Sequence, residues 1–156
     1  MVARNDDART EGGKGRETNA EGGRKLQGWG LTILRVVVGI VFFVHGGQKL
    51  FVYGVGGVAG LMGQIGIPLP MLSAAVVTTV EFLSGAALVV GLFTRWAAIL
   101  LAINMLVAIM TVHLKAGFFL PNGYEFALTL LGANMALALA GPGKAAIDAV
   151  FAKSRA

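Results

Sequence analysis

Two charged residues lie where charge is expensive. Arg35 sits in the run LTILRVVVGIVFFV and Glu81 in the run AAVVTTVEFLSGAALVV. An ionisable side chain in so apolar a segment costs a few kcal/mol or more in lipid, and is expected to face a partner inside a bundle. Arg35, Gly39, Phe42, Gly46 and Lys49 follow at spacings of 4, 3, 4 and 3, which is one face of a helix. Thr78, Glu81, Gly85 and Leu88 share a face in the same way. Charged faces lined with glycine point at a neighbouring helix. We therefore expect the two segments to pair, with Glu81 between Arg35 on the inner side and His45 on the outer side. Two uses remain open for this group. It is an ion pair that fixes helix register, or a proton-exchange site in which Glu81 and His45 act catalytically and Arg35 holds the charge of Glu81.

A second set of polar residues falls near the outer ends of the apolar segments. His45 lies one turn before Lys49 in HGGQKLF, His113 and Lys115 close the third segment, and Glu125 opens the fourth in NGYEF. Lys49, His113 and Glu125 are the candidates to hold a ligand at an outward-facing polar pocket; the alternative is a set of interfacial, snorkelling anchors. Asn104 and Asn134 lie at similar depths and are expected to hydrogen-bond to each other or to backbone.

Several chemistries find no residues. With no cysteine, the chain itself offers no disulfide, thiol redox centre or Cys-ligated cluster. Gly46-Gly47 and Gly56-Gly57 are not followed by a dinucleotide-binding pattern, and there is no Walker loop. No metal site is expected from two histidines and few carboxylates. A bis-histidine haem on His45 and His113 is disfavoured, because His113 lies about 180° from the Asn104 face of its own helix.

The elements that must position these residues follow from hydropathy. Of 156 residues 56% are hydrophobic and 13% charged, about half the charge of a typical soluble domain. Mean hydropathy is +0.74. Four stretches approach the ~20 apolar residues needed to cross a bilayer: about 29–51, 71–93, 96–114 and 124–140, the last being the shortest. The fold class is an all-α integral membrane four-helix bundle. Residues 26–156 form the bundle domain. Residues 1–25 are polar and Gly-rich and read as a disordered cytoplasmic tail. Val58, Leu61, Met62 and Ile65 recur at helical spacing before Gly66 and Pro68, which predicts a short interfacial helix. Ile147, Val150 and Phe151 predict another.

Arg24 and Lys25 precede the first span, Arg95 sits between the second and third, and Lys144, Lys153 and Arg155 follow the fourth. This bias places both termini in the cytoplasm. The net charge of +5 is an orientation signal, not a nucleic-acid surface. The bilayer is the expected partner.

The order of these features resembles the DoxX family of small bacterial membrane proteins. A span with Arg is followed by HGGQKLF, then GIPLP, a span with central Glu and Gly, GLFTRW, a third span, NGYEF and GPGKAAID. The resemblance covers roughly residues 29–150. The family pattern is matched at Arg35, Gly46, Lys49, Pro68, Glu81, Gly91, Thr94 and Arg95. It is matched again at Gly123, Glu125, Gly141, Pro142, Gly143 and Asp148. A serine often found two residues before the Asp is replaced by Ala146. The resemblance implies a bacterial cytoplasmic-membrane protein linked to redox metabolism. A related branch, DoxD, supplies the membrane subunit of a thiosulfate:quinone oxidoreductase.

The leading expectation is thus a membrane subunit of a quinone-linked redox complex, or a role in quinone or oxidative-stress resistance. Its pocket would lie between spans one and two, at the outer half of the bundle. Electrons would come from the quinone or from a soluble redox partner subunit. The rival is a small proton-coupled exporter of an apolar compound; small multidrug transporters carry their essential Glu in the first span, whereas here it is in the second. A third reading is a membrane scaffold for soluble redox enzymes. The oligomeric state is left open.

Overall fold

The computed structural model describes the backbone of residues 4–153 and the side chains of residues 21–150. Among the described residues every regular element is helical. Helix α1 covers Arg4–Gly47 and continues through a π-helical turn at Gln48–Val52. Helix α2 is Gly54–Gln64, α3 is Pro70–Val90 and α4 is Thr94–Ala108. A second π turn, Ile109–His113, and a 3₁₀ turn, Leu114–Ala116, extend α4. Helix α5 is Glu125–Ala140 and α6 is Ile147–Lys153.

Three of these are long and apolar enough to cross a membrane: Glu21–Val52, Pro70–Val90 and Thr94–Ala116. Helix α5 has 16 residues, about 24 Å of rise against about 30 Å of hydrocarbon. It nevertheless returns the chain to the end it left. Lys144 N–H donates to Gly28 C=O at 3.2 Å, so the loop after α5 meets the start of the apolar part of α1.

The polar N-terminal stretch differs from its expected disorder. Helix α1 runs unbroken from Arg4 into the span. Once a membrane-embedded helix supplies the nucleus, extension outward costs little per residue, and Glu21 with Lys25 adds a favourable i, i+4 pair. Residues 1–3, the side chain of Phe151 and Arg155 lie outside the described residues.

The predicted surface helix is present as α2. Its Val58 and Ala59 pack on Ala74 of α3, and Met62 packs beside them. Gly66 follows with φ +81°, the left-handed conformation that ends helices. Pro70 opens α3, where a missing N–H is harmless. Gly91 closes it with φ +75°, while Leu92 N–H reaches back to Ala87 C=O at 2.9 Å.

Helices α1 and α3 make the tightest pair. A Cβ on Gly39 would stand 2.8 Å from the Val89 nitrogen, and one on Gly46 only 2.5 Å from the Phe82 nitrogen. Backbone touches backbone, as small residues allow in lipid. Helices α4 and α5 pack on the other side. Val38, Phe42, Leu88, Leu101, Leu130 and Leu137 meet in the shared core.

Candidate functional site

The antiparallel register of α1 and α3 decides which charges meet. Gly46 lies against Phe82 and Gly39 against Gly85 to Val89. One turn beyond Gly46 toward the C-terminal end of α1, Lys49 reaches the level of Glu81. Its Nζ donates to both carboxylate oxygens, at 2.7 and 2.6 Å. From α4, Asn104 Nδ2 donates to Glu81 Oε1 at 2.9 Å. Glu81 is 4% exposed and Lys49 is 27% exposed. Three helices thus converge on one buried carboxylate. Thr78, one turn from Glu81 on the same face, is buried, and its hydroxyl has no hydrogen-bond partner among the described residues.

Lys49 is placed by the π turn, whose widened loop is closed by Tyr53 N–H to Gln48 C=O at 3.1 Å. Such turns insert one residue into a helix and recur at functional sites.

Arg35 does something other than hold Glu81. It lies at the level where α3 ends, and its guanidinium donates to four backbone carbonyls. Nε binds Pro142 C=O at 3.0 Å, Nη1 binds Leu88 C=O and Val89 C=O, the latter at 3.2 Å, and Nη2 binds Ala145 C=O. The last carbonyls of a helix lack intrahelical donors and sit at the negative end of its dipole. The buried cation is held there by carbonyls, with the carboxylate of Asp148 close enough to act on it electrostatically. The expected Arg35–Glu81 pair is therefore absent because the helix register puts Arg35 opposite Leu88 to Gly91, about 10–15 Å of helix from Glu81.

His45 also misses Glu81. It is exposed, its ring 6.4 Å from that of Phe126 on α5, and no hydrogen bond joins it to the carboxylate. It lies one residue, or about 100°, from the Gly46 face that packs on α3. His113 and Glu125 are used by the loop between α4 and α5. His113 Nδ1 donates to Asn122 C=O at 2.9 Å, and Glu125 accepts from Leu120 N–H at 2.8 Å. Of the three expected ligand-holding residues, only Lys49 joins the buried cluster.

Asn104 and Asn134 do not bond to each other. Asn134 Nδ2 donates to Leu130 C=O at 2.8 Å on its own helix, the backbone alternative expected for it. Asn104 is instead the third member of the Glu81 cluster, a role that its mid-membrane depth alone did not reveal. Lys49 was legible: it occupies the same 4, 3, 4, 3 face as Arg35 and Gly46.

At Gly39, Gly46 and Gly85 helices α1 and α3 touch backbone to backbone. A shallow groove lies between α3 and α4. At the end of the bundle where α3 turns into α4, Asp148 accepts from Phe93 N–H at 2.7 Å and Thr94 N–H at 2.8 Å, so α6 caps α4. Phe93 there holds a left-handed backbone, φ +48°, which costs a non-glycine residue about 1–2 kcal/mol. Thr32 Oγ1 accepts from Lys144 and Ala145 N–H at 3.0 and 3.3 Å. The closing GPGKAAID segment is thereby bound to α1, α3 and α4. Among the described residues no group of three or more His, Asp or Glu is placed to hold a metal ion.

The DoxX family model matches residues 30–114. The chain is 38% identical over 126 residues to the "Putative oxidoreductase CatD" of Bacillus subtilis, covering 81% of this chain and 90% of that protein. It is 30% identical over 124 residues to the "Inner membrane protein YphA" of Escherichia coli, covering 76% and 87%. An uncharacterized membrane protein of Mycobacterium tuberculosis is 33% identical over 131 residues, covering 77% and 80%. No solved structure matches the chain. The matched segment contains Arg35, Lys49, Glu81 and Asn104, and with relatives of this likeness it makes the chain a member of the DoxX family of membrane proteins.

Proposed function

We propose that this chain is the membrane subunit of a quinone-linked oxidoreductase, with its quinone bound at the Lys49–Glu81–Asn104 cluster. The observation that carries the reading is a buried membrane carboxylate held by a half-buried ammonium and an amide from two other helices. The relative named as an oxidoreductase supports the reaction class.

The residues fit a quinone. Its carbonyl oxygens accept hydrogen bonds, and Lys49 Nζ and Asn104 Nδ2 are donors with the required reach. The unpartnered Thr78 hydroxyl adds a third donor beside Glu81. Reduction of a quinone to the quinol consumes two electrons and two protons. A soluble dehydrogenase subunit supplies the electrons in this reading. Glu81 takes up and delivers protons, and Lys49 compensates its charge in the meantime. Lys49 is 27% exposed against 4% for Glu81, and in this reading it connects the buried carboxylate to the surface. The basic residues at the other end, Arg24, Lys25, Arg95 and Lys144, support a cytoplasmic position for both termini and for the partner.

Two measurements on one preparation test this. Protein purified from the membrane should carry quinone, extractable and identifiable by mass. Glu81→Gln should keep its normal membrane level, since Lys49 can turn outward and Gln still accepts from Asn104. It should lose quinone-dependent turnover in the presence of its electron donor. A variant at normal level with normal turnover would refute the proton role of Glu81.

A further inference from the structure

The seam between α3 and α4 carries a feature that the polar cluster leaves unused. A shallow groove of about 370 Å³, open along its outer side, runs along it, walled by Leu83, Ser84 and Ala87 on α3 and by Trp96, Ala97 and Leu100 on α4. The cause lies in residue size and facing. Gly85 turns toward Phe42 and Phe43 on α1 and draws α3 to that side. Toward α4 the opposed positions are Ser84, Ala87 and Ala97, too short to fill the gap.

The groove ends one helical turn short of the polar cluster. Ser84 lies three residues below Glu81 on α3, and Leu100 four below Asn104 on α4, both one helical turn. The Asn104–Glu81 hydrogen bond spans the same seam at its upper end. Phe93, in the turn between the helices, closes the lower end. From Glu81 to Val90 the seam runs about 13 Å, and its outer side is open to lipid.

We infer that this groove seats the isoprenoid chain of a membrane quinone, with the ring at the Glu81–Asn104 end and the chain running down toward Trp96 and Phe93. The inference rests on the quinone reading above and adds the pose, the entry route from the bilayer and a preference for tailed quinones. The chemistry selects this ligand over a phospholipid. The polar end of the groove lies near the middle of α3, at membrane mid-depth, where a charged headgroup is not accommodated. A small neutral head that accepts hydrogen bonds, on an apolar chain and dissolved wholly in the bilayer, matches both ends.

The test uses full-length protein in detergent micelles, with binding compared at equal quinone concentration in the detergent phase. The probes are a benzoquinone with a three-unit isoprenoid chain and the same ring without it. Detergent is as apolar as the groove, so the chain gains only packing contacts; an advantage of about tenfold is expected. Ala87→Phe, and separately Leu100→Phe from the opposite wall, should abolish that advantage while the tail-less ring still binds. Two variants on different helices guard against loss of fold in one, and a monodisperse gel-filtration peak checks each. Equal affinity of the two probes for the unaltered protein overturns the groove assignment and leaves the quinone site standing. An advantage that survives both substitutions does the same. Failure of both probes to bind overturns the quinone reading and the groove with it. Phospholipid added to the micelles that abolishes the advantage of the chain while the tail-less ring still binds would make the groove a lipid seat and overturn the inference.

Discussion

Replacing Arg35 by Met should damage stability more than any change at Glu81. The guanidinium is 1% exposed and donates to four carbonyls belonging to α3 and to the closing segment. Met keeps most of the volume and removes every donor. Each hydrogen bond from a charged donor is worth about 1.5–3 kcal/mol net. Against this stands the relief of a buried charge, itself several kcal/mol. Not every carbonyl is left bare, since Leu88 C=O also accepts from Gly91 N–H at 3.2 Å. The balance is a loss of about 3–5 kcal/mol, the scale on which buried polar networks fail when one partner is removed. Unfolding in detergent micelles by added dodecyl sulfate, followed by tryptophan fluorescence, reads this directly. Arg35→Lys should recover less than half, because a single ammonium cannot fork between two segments. If Arg35→Met unfolds within about 1 kcal/mol of the unaltered protein, the four-carbonyl arrangement is not what holds the closing segment to α3.

Gly46→Leu should separate α1 from α3, since even its Cβ meets the Phe82 backbone at 2.5 Å. A loss of at least about 2 kcal/mol by the same unfolding assay is expected, together with loss of the Lys49–Glu81 contact. Asp148→Ala should cost about 1–2 kcal/mol by removing the cap on Phe93 and Thr94, with little effect on quinone binding. A periplasm-active reporter fused at Ala156 should stay silent while a cytoplasm-active one reports. The reverse pattern would place the termini outside and refute the topology.

The sequence by itself determined the solvent, the class and most of the elements. Apolar runs of about 20 residues admit only helices in lipid, because every backbone group must be satisfied within its own segment. Gly66 marked the end of α2 by its backbone chemistry alone, whereas the end of α3 at Gly91 fell inside the expected second span of 71–93. The glycine face shared by Arg35, Gly46 and Lys49 told which side of α1 meets α3, since only small residues let helices touch. Periodicity could not give the vertical register of one helix against another. A shift of about four turns, the 14 residues from Arg35 to Lys49, leaves the faces nearly unchanged but moves each residue by about 21 Å. That shift decided that Glu81 meets Lys49 rather than Arg35, and that Arg35 serves the end of α3. It decided likewise that Asn104 joins Glu81 while Asn134 stays on its own helix. The helix start at Arg4 was hidden for a different reason, since a polar Gly-rich stretch has no apolar period and takes its backbone from the span it adjoins. The groove between α3 and α4 is a tertiary product as well. It exists because glycine draws α3 toward α1, and no single helix encodes the space left on the other side.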